Sequence, residues 1–213
     1  MDRTIDWYNE QRLKRAADSL RRNNMAAYTV PDAPGLHELL STLIRPGSSV
    51  GVGDSVTLEQ TGVLDLLRSG PYEFLDKYRP GISGAEKREL YIRNFSAGTF
   101  ICSANAITED GGIFNIDGNG SRLAPTIYGP EQVIFVAGVN KLVPSLEDAV
   151  KRARQYSAPL DAKRLGKNTP CAVTGKCSDC NSPERICNSF ALLRRQFVKE
   201  RIKVIFVRRT LGY

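Results

Sequence analysis

Short apolar runs alternate with segments of helical spacing along most of this chain, and that alternation calls for a mostly parallel β-sheet covered by flanking helices. Met25–Val30, Ser49–Gly53, Thr99–Ser103, Gln132–Val139 and Ile202–Val207 have the length and composition of strands. Gln132–Val139 is the strongest, a near-continuous apolar run of the kind buried on both faces of a parallel sheet. Helical spacing marks residues 3–23 (apolar set Ile5, Trp7, Leu13, Ala16, Ala17 and Leu20), Leu36–Ile44, Thr57–Arg68, Gly84–Phe95 and Ser145–Tyr156. Ser145 is placed to cap the last of these, and Asp148 suits its positive N-terminal end. Asp110-Gly111, between Ile107 and Ile113–Ile116, predicts a β-hairpin. The fold class is therefore α/β.

With 213 residues, 41% of them hydrophobic and 25% charged, the chain can bury one sizeable core. We read an α/β domain over 1–165, a cysteine-rich metal-binding segment over 166–190 within the same domain, and a C-terminal strand region over 191–213 that completes it. Met1–Arg22 lacks the apolar stretch of a secretory signal, and no apolar run reaches the length of a membrane span, so the expected location is the cytoplasm. The net charge is +7, with residues 151–213 holding 15 Lys/Arg against 4 Asp/Glu. Such a basic region suits anionic small molecules or anionic metal-thiolate centres. It has no interleaved aromatic pattern or nucleic-acid motif, so neither nucleic acid nor membrane is the expected partner.

Gly51-Val52-Gly53-Asp54-Ser55-Val56-Thr57 joins a strand to a helix. Gly51 and Gly53 permit close backbone approach, and Ser55, Thr57 and the free amides of a helix start can cradle a phosphate or carboxylate. The same residues also read as a tight turn with a capping box from Thr57 to Gln60. The glycine spacing fits neither a dinucleotide fold nor a nucleotide P-loop. Asp54 would repel an anion unless it turns away, acts as a base or bonds a sugar hydroxyl. Further along, Asn105, Asn115, Asp117, Gly118, Gly120 and Arg122 lie on or beside the hairpin. Arg122 can hold a carboxylate or phosphate with two parallel bonds, or serve a surface ion pair. Asn140 and Lys141 follow the strongest strand, where open α/β sheets bind their ligands. His37, the one histidine, reads as a structural residue of a helix, so histidine triads and multi-histidine metal sites are hard to build.

Four of the five cysteines form the pattern Cys171-x5-Cys177-x2-Cys180-x6-Cys187. Four thiolates within one short segment can close around zinc or hold a 4Fe-4S cluster, and the spacing does not choose between them. A redox pair at Cys177 and Cys180, or a set of free thiols, are the other readings. Cys102 lies in an apolar run and reads as a small core residue.

Gly51–Leu58, Asn105-Ala106-Ile107-Thr108, Asn115-Ile116-Asp117-Gly118, Gly129-Pro130, Gly138-Val139-Asn140-Lys141, Ala158-Pro159-Leu160 and Thr174-Gly175-Lys176-Cys177 together resemble the LUD-domain (lactate utilisation protein C-like) family. The resemblance is closest to a small bacterial and archaeal branch with a cysteine-rich C-terminal segment, and it runs from about Met25 to Tyr213. One departure is Ser121 before Arg122, where the family's loop reads glycine-asparagine-arginine. The resemblance implies a fold similar to ribose-5-phosphate isomerase, glucosamine-6-phosphate deaminase and the CoA transferases. It implies a site for an anionic small molecule bearing phosphate or carboxylate, and it favours an iron-sulfur reading of the cysteines. The function it implies is a component of lactate or other organic-acid oxidation, partnered by iron-sulfur oxidoreductase subunits or by a second copy in a homodimer. An enzyme acting on a sugar phosphate or CoA thioester with structural zinc, and a noncatalytic ligand-sensing or assembly protein, are the alternatives. No catalytic residue follows from the resemblance.

Overall fold

A computed structural model of the chain describes residues 3–213. Its strands are β1 (Ala26–Val30), β2 (Ser49–Val52), β3 (Glu73–Phe74), β4 (Thr99–Cys102), β5 (Ala106–Thr108), β6 (Ile113–Asp117), β7 (Gln132–Gly138), β8 (Leu142–Val143), β9 (Ser189–Leu193) and β10 (Ile202–Val207). Its α-helices are α1 (Arg3–Arg22), α2 (Ala33–Leu43), α3 (Val56–Gln60), α4 (Val63–Ser69), α5 (Gly84–Arg93), α6 (Leu123–Ile127), α7 (Leu146–Arg152), α8 (Ala158–Arg164) and α9 (Pro170–Thr174). Among the described residues no helix is long and apolar enough to cross a membrane.

Six strands form a sheet in the order β1-β10-β7-β4-β2-β3, and every neighbouring pair is parallel. The fold is therefore α/β, as the alternation predicts. One face packs on α1 through Leu13, Ala16, Ala17 and Leu20, against Phe100, Phe135 and Phe206. The other packs on α2 and on α3–α4 through Leu36, Leu40, Leu58, Val63 and Leu67. Central strands sandwiched in this way have no wet face, which is why β7 is apolar at consecutive positions.

A second sheet of four strands, β8-β5-β6-β9, lies beside the first. The expected hairpin is its centre: β5 and β6 pair antiparallel around a turn in which Gly111 takes φ +85°. Ile107, Ile113 and Leu142 of this sheet share a core with the large one.

Three local expectations need correcting. The segment Thr57–Arg68 is not one helix but two, broken where Gly62 adopts φ +68°. The Thr61 hydroxyl bonds back to the Thr57 carbonyl, and His37 Nε2 lies 2.6 Å from the Thr61 carbonyl, pinning the break. In α1, Ile5 (54% exposed) and Trp7 (59%) do not reach the core, because burial begins at Leu13. The Ser145–Tyr156 helix begins as expected with a Ser145 cap to the Asp148 amide, but at Ala153–Ser157 it widens into a π turn before α8. Pro159 has no N–H for the carbonyl four residues back, so the regular ladder cannot run through this point.

Candidate functional site

Three adjacent strands of the parallel sheet, β2, β4 and β7, end side by side, and the residues that follow each of them meet in one cleft. Asp54 and Ser55 come after β2, Ser103 after β4 and Lys141 after β7. The carboxyl end of a parallel sheet is where open α/β folds place their ligands. The cleft has a volume of about 560 Å³ and is also lined by Asn105, Asp117, Gly118 and Arg122 from the hairpin region. Asp161, Arg164 and Lys167 of the α8 region, Glu184 and Arg185 of the cysteine segment, and Tyr213 complete the wall.

Seven of the residues singled out in the sequence thus share one cavity: Asp54, Ser55, Asn105, Asp117, Gly118, Arg122 and Lys141. Gly51, Gly53, Thr57, Asn115, Gly120 and Asn140 are not among its lining residues. Gly51 lies in β2, where a side chain would run into Asn94. A Cβ on Gly53 would lie 2.8 Å from Arg122 Cγ and 2.9 Å from Cys102 Cβ, so this glycine makes room for the arginine rather than for a ligand. Thr57 is buried and its hydroxyl points to the Leu211 carbonyl. Asn140 spends its amide on the C-terminal tail, donating to the Leu211 and Gly212 carbonyls and accepting from the Leu211 N–H. The helix cap after the glycine turn is Ser55, which accepts from the Leu58 amide, not Thr57, while Gln60 accepts from the Gly212 N–H.

Arg122 is the organising side chain. Its Nη1 donates to the Ser103 carbonyl at 2.9 Å and to Asn115 Oδ1 at 2.7 Å. Its Nη2 donates to the Ile116 carbonyl at 2.7 Å and to Asn105 Oδ1 at 3.2 Å. The two asparagines also receive backbone N–H groups, Asn115 from Asn105 and Asn105 from Ile116. The guanidinium fork is therefore occupied by uncharged protein oxygens and delivers charge to the cleft rather than two open donors. Asp117 accepts the Arg122 and Leu123 amides, which fixes the Gly118–Gly120 loop.

Lys141 lies deeper. It is 3% exposed, and its Nζ donates to Ser103 Oγ at 2.9 Å. Burial pushes its pKa down to about 7, and the Arg152 and Arg122 charges push the same way. Arg152 donates to the carbonyls of Asn140 and Asn105 and to Ser157 Oγ. Among the described residues, no carboxylate lies within 4 Å of the Lys141 ammonium or of the Arg122 and Arg152 guanidinium groups. The carboxylates of the cleft have other partners. Asp54 pairs with Lys77 at 2.6 Å and accepts from the Tyr78 hydroxyl at 2.7 Å. Burial raises the Asp54 pKa, but Lys77 and Tyr78 outweigh it and hold the carboxyl below its ordinary value. Asp161 pairs with Arg164 at 2.8 Å, and Glu184 accepts from the Asn168 amide at 2.6 Å.

Ser103, Arg152, Lys77 and Tyr78 were not anticipated from the sequence. Ser103 carries the one available signal, its place at the end of a strand. Arg152 reads as the polar face of a helix, and Lys77-Tyr78 sit in an irregular stretch without periodicity.

The cysteine segment wraps past the hairpin. The Asn188 amide N–H bonds the Asp117 carbonyl, and its side chain donates to the Gly118 carbonyl. Cys171, Cys177, Cys180 and Cys187 are partly exposed free thiols. The Cys187 thiol is pushed above its ordinary value, first by burial and then by Cys177 and Cys180, which lie close enough to couple to it, while Arg185 opposes. Arg154 and Arg185 both pair with Asp179, at 3.0 and 2.9 Å, and Arg154 also approaches Cys177 Sγ at 3.9 Å. Arg185 donates to the Cys180 and Cys187 carbonyls. Among the described residues no three Cys, His, Asp or Glu side chains close into a metal shell. Four thiols in one segment, with Cys177 and Cys180 both near Cys187, are nonetheless a donor set of the kind that binds zinc or iron. Cys102 stands apart, buried in β4, with its thiol pushed up to about 12 chiefly by burial.

The LUD domain, as a family model, matches residues 13–207. A DUF162 family protein from Deinococcus radiodurans has a similar structure, with a TM-score of 0.54, 13% identity, and coverage of 93% of this chain and 98% of that one. At that identity the likeness concerns the fold. eIF2B beta from Chaetomium thermophilum aligns with a TM-score of 0.37 and 16% identity, over 55% of this chain and 44% of that one. No curated protein shows significant sequence similarity.

Proposed function

The chain belongs to the LUD domain family, which is related to lactate utilisation, and from that premise we propose that its cleft binds the anionic group of a small organic acid as part of organic-acid oxidation. The supporting observation is the convergence of Lys141, Arg122 and Arg152 without a carboxylate within ion-pair distance. Burying cations beside one another is costly unless an anion joins them. A ligand carboxylate or phosphate would supply the missing charge. The volume of about 560 Å³ exceeds what a three-carbon acid needs, which favours as a second reading a larger phosphorylated or CoA-linked ligand.

We further propose that the four cysteines hold zinc or a 4Fe-4S cluster. Cys171, Cys177, Cys180 and Cys187 would be its ligands, and iron-sulfur oxidoreductase subunits would be the partners of a cluster-bearing form. A bound cluster would supply one-electron transfer, and zinc would only brace the segment. Anaerobic purification separates the two: broad absorption near 400 nm marks the cluster, and a colourless protein with one zinc marks the brace.

Thermal unfolding with L-lactate, pyruvate and phosphate, each set against a neutral analogue such as lactamide, tests the anion site. At 100 times Kd a ligand stabilises by about 2.7 kcal/mol. At least one anion is expected to raise the midpoint while its neutral analogue does not, and Lys141→Met should remove the difference. Equal response to anion and neutral analogue contradicts the proposal.

A further inference from the structure

We propose that Lys141 is an amine nucleophile that forms an imine with a 2-oxo acid seated in the cleft, with Ser103 exchanging the proton. The inference rests on the anion site proposed above and names the class of ligand that site takes. Three features carry it. Lys141 is one of the residues that line the cleft, at its buried end. Its hydrogen-bond partner is a hydroxyl, Ser103 Oγ at 2.9 Å, which can donate to the amine or accept from the ammonium as the proton moves. The cations beside it would draw a carboxylate to the same end of the cleft, which places a carbonyl on the adjacent carbon next to the amine.

The surroundings also keep the amine available. Arg152 on α7 and Arg122 ahead of α6 disfavour the ammonium, whereas Cys102 on β4 and Asp161 on α8 favour it more weakly than burial and the arginines oppose it. Gly212 of the C-terminal tail brings no charge, and a Cβ there would lie 3.3 Å from Nζ. With its pKa pushed down to about 7, Lys141 holds a substantial neutral fraction near pH 7. A solvated lysine near its ordinary value has a neutral fraction about three orders of magnitude smaller.

The chemistry balances without a co-reactant. The neutral Nζ lone pair attacks the carbonyl carbon, and the carbonyl electron pair moves to oxygen, which takes up a proton. Nitrogen then loses a proton, for which Ser103 is the nearest exchanging group. Loss of water from the carbinolamine leaves the C=N bond, so amine and carbonyl become imine and water.

Reductive trapping tests this on the full-length chain. The protein is incubated at pH 7 with glyoxylate, pyruvate or 2-oxoglutarate and sodium cyanoborohydride, then analysed by intact mass and peptide mapping. Thermal midpoints are measured in parallel without the reductant. The expected result is a single reduced adduct on Lys141 with at least one 2-oxo acid, none with the corresponding 2-hydroxy acid, and a yield that rises between pH 6 and pH 8. Lys141→Met should lose the adduct, and should that variant fail to fold, the wild-type peptide map decides alone. A raised midpoint with no Lys141 adduct, or adducts spread over surface lysines, overturns the imine and leaves the anion site standing. Neither adduct nor raised midpoint, with L-lactate and phosphate equally silent, overturns both.

Discussion

At the scale of the residue, Lys141 is the buried cation on which the proposed anion binding depends. Its folded pKa of about 7 lies below its ordinary value of 10.5. Between those values the unfolded chain binds a proton that the folded chain does not, so stability rises with pH across that window. The penalty is fully present below pH 7 and disappears toward pH 10.5, with an upper size of roughly 4–5 kcal/mol at about 1.4 kcal/mol per unit. Urea unfolding from pH 6 to 9 should therefore show the wild type gaining about 1 kcal/mol per unit over Lys141→Met above pH 7. Parallel curves for the two proteins would remove the charge argument. Gly53 offers a second check. Gly53→Ala pushes a methyl against Arg122 Cγ and Cys102 Cβ, and Cys102 is fixed in the core. A loss of about 1–3 kcal/mol is expected, measured as a lower urea midpoint. Lys141 was legible in the sequence because it follows the most apolar strand. Ser103 and Arg152 were not, since a serine at a strand end and an arginine on a helix look like many others until the fold brings them within reach of that lysine.

At the scale of the element, period and punctuation located five of the six strands of the large sheet, missing the two-residue β3, while boundaries moved where single side chains intervened. The break at Gly62 depends on Thr61 and His37, which come from different elements, so a pattern read along one segment misses it. β9 escaped because none of its residues is buried and it gains its identity by pairing with β6. Arg154, Arg185 and Asp179 tie the cysteine segment together at its surface, and exposed ion pairs of this kind contribute little each. A metal would add most of the ordering there. Cys177→Ser or Cys180→Ser should release the metal and speed proteolysis within 166–190, with the circular dichroism of the parallel sheet unchanged. Unaltered metal content in both variants would exclude these thiols as ligands.

At the scale of the whole molecule, the parallel order β1-β10-β7-β4-β2-β3 sets β2, β4 and β7 side by side and so determines where the cleft opens. The second sheet was visible in the sequence only as its central hairpin. Its role is to carry Asn105 and Asn115 to the Arg122 guanidinium and Asp117 to the Arg122 backbone amide, so that the guanidinium charge faces the same space as Lys141. The cleft is thus a joint product of both sheets, with α7 supplying Arg152 from behind. The most direct test is titration calorimetry of an anion without a carbonyl, L-lactate or phosphate, at pH 8 in two buffers of different ionisation enthalpy. An anion that joins the uncompensated cations raises the Lys141 pKa and draws a proton from the buffer. The expected result is proton uptake on binding by the wild type and none by Lys141→Met. Binding of that anion by the wild type with no proton uptake, or no binding of either, would contradict the account.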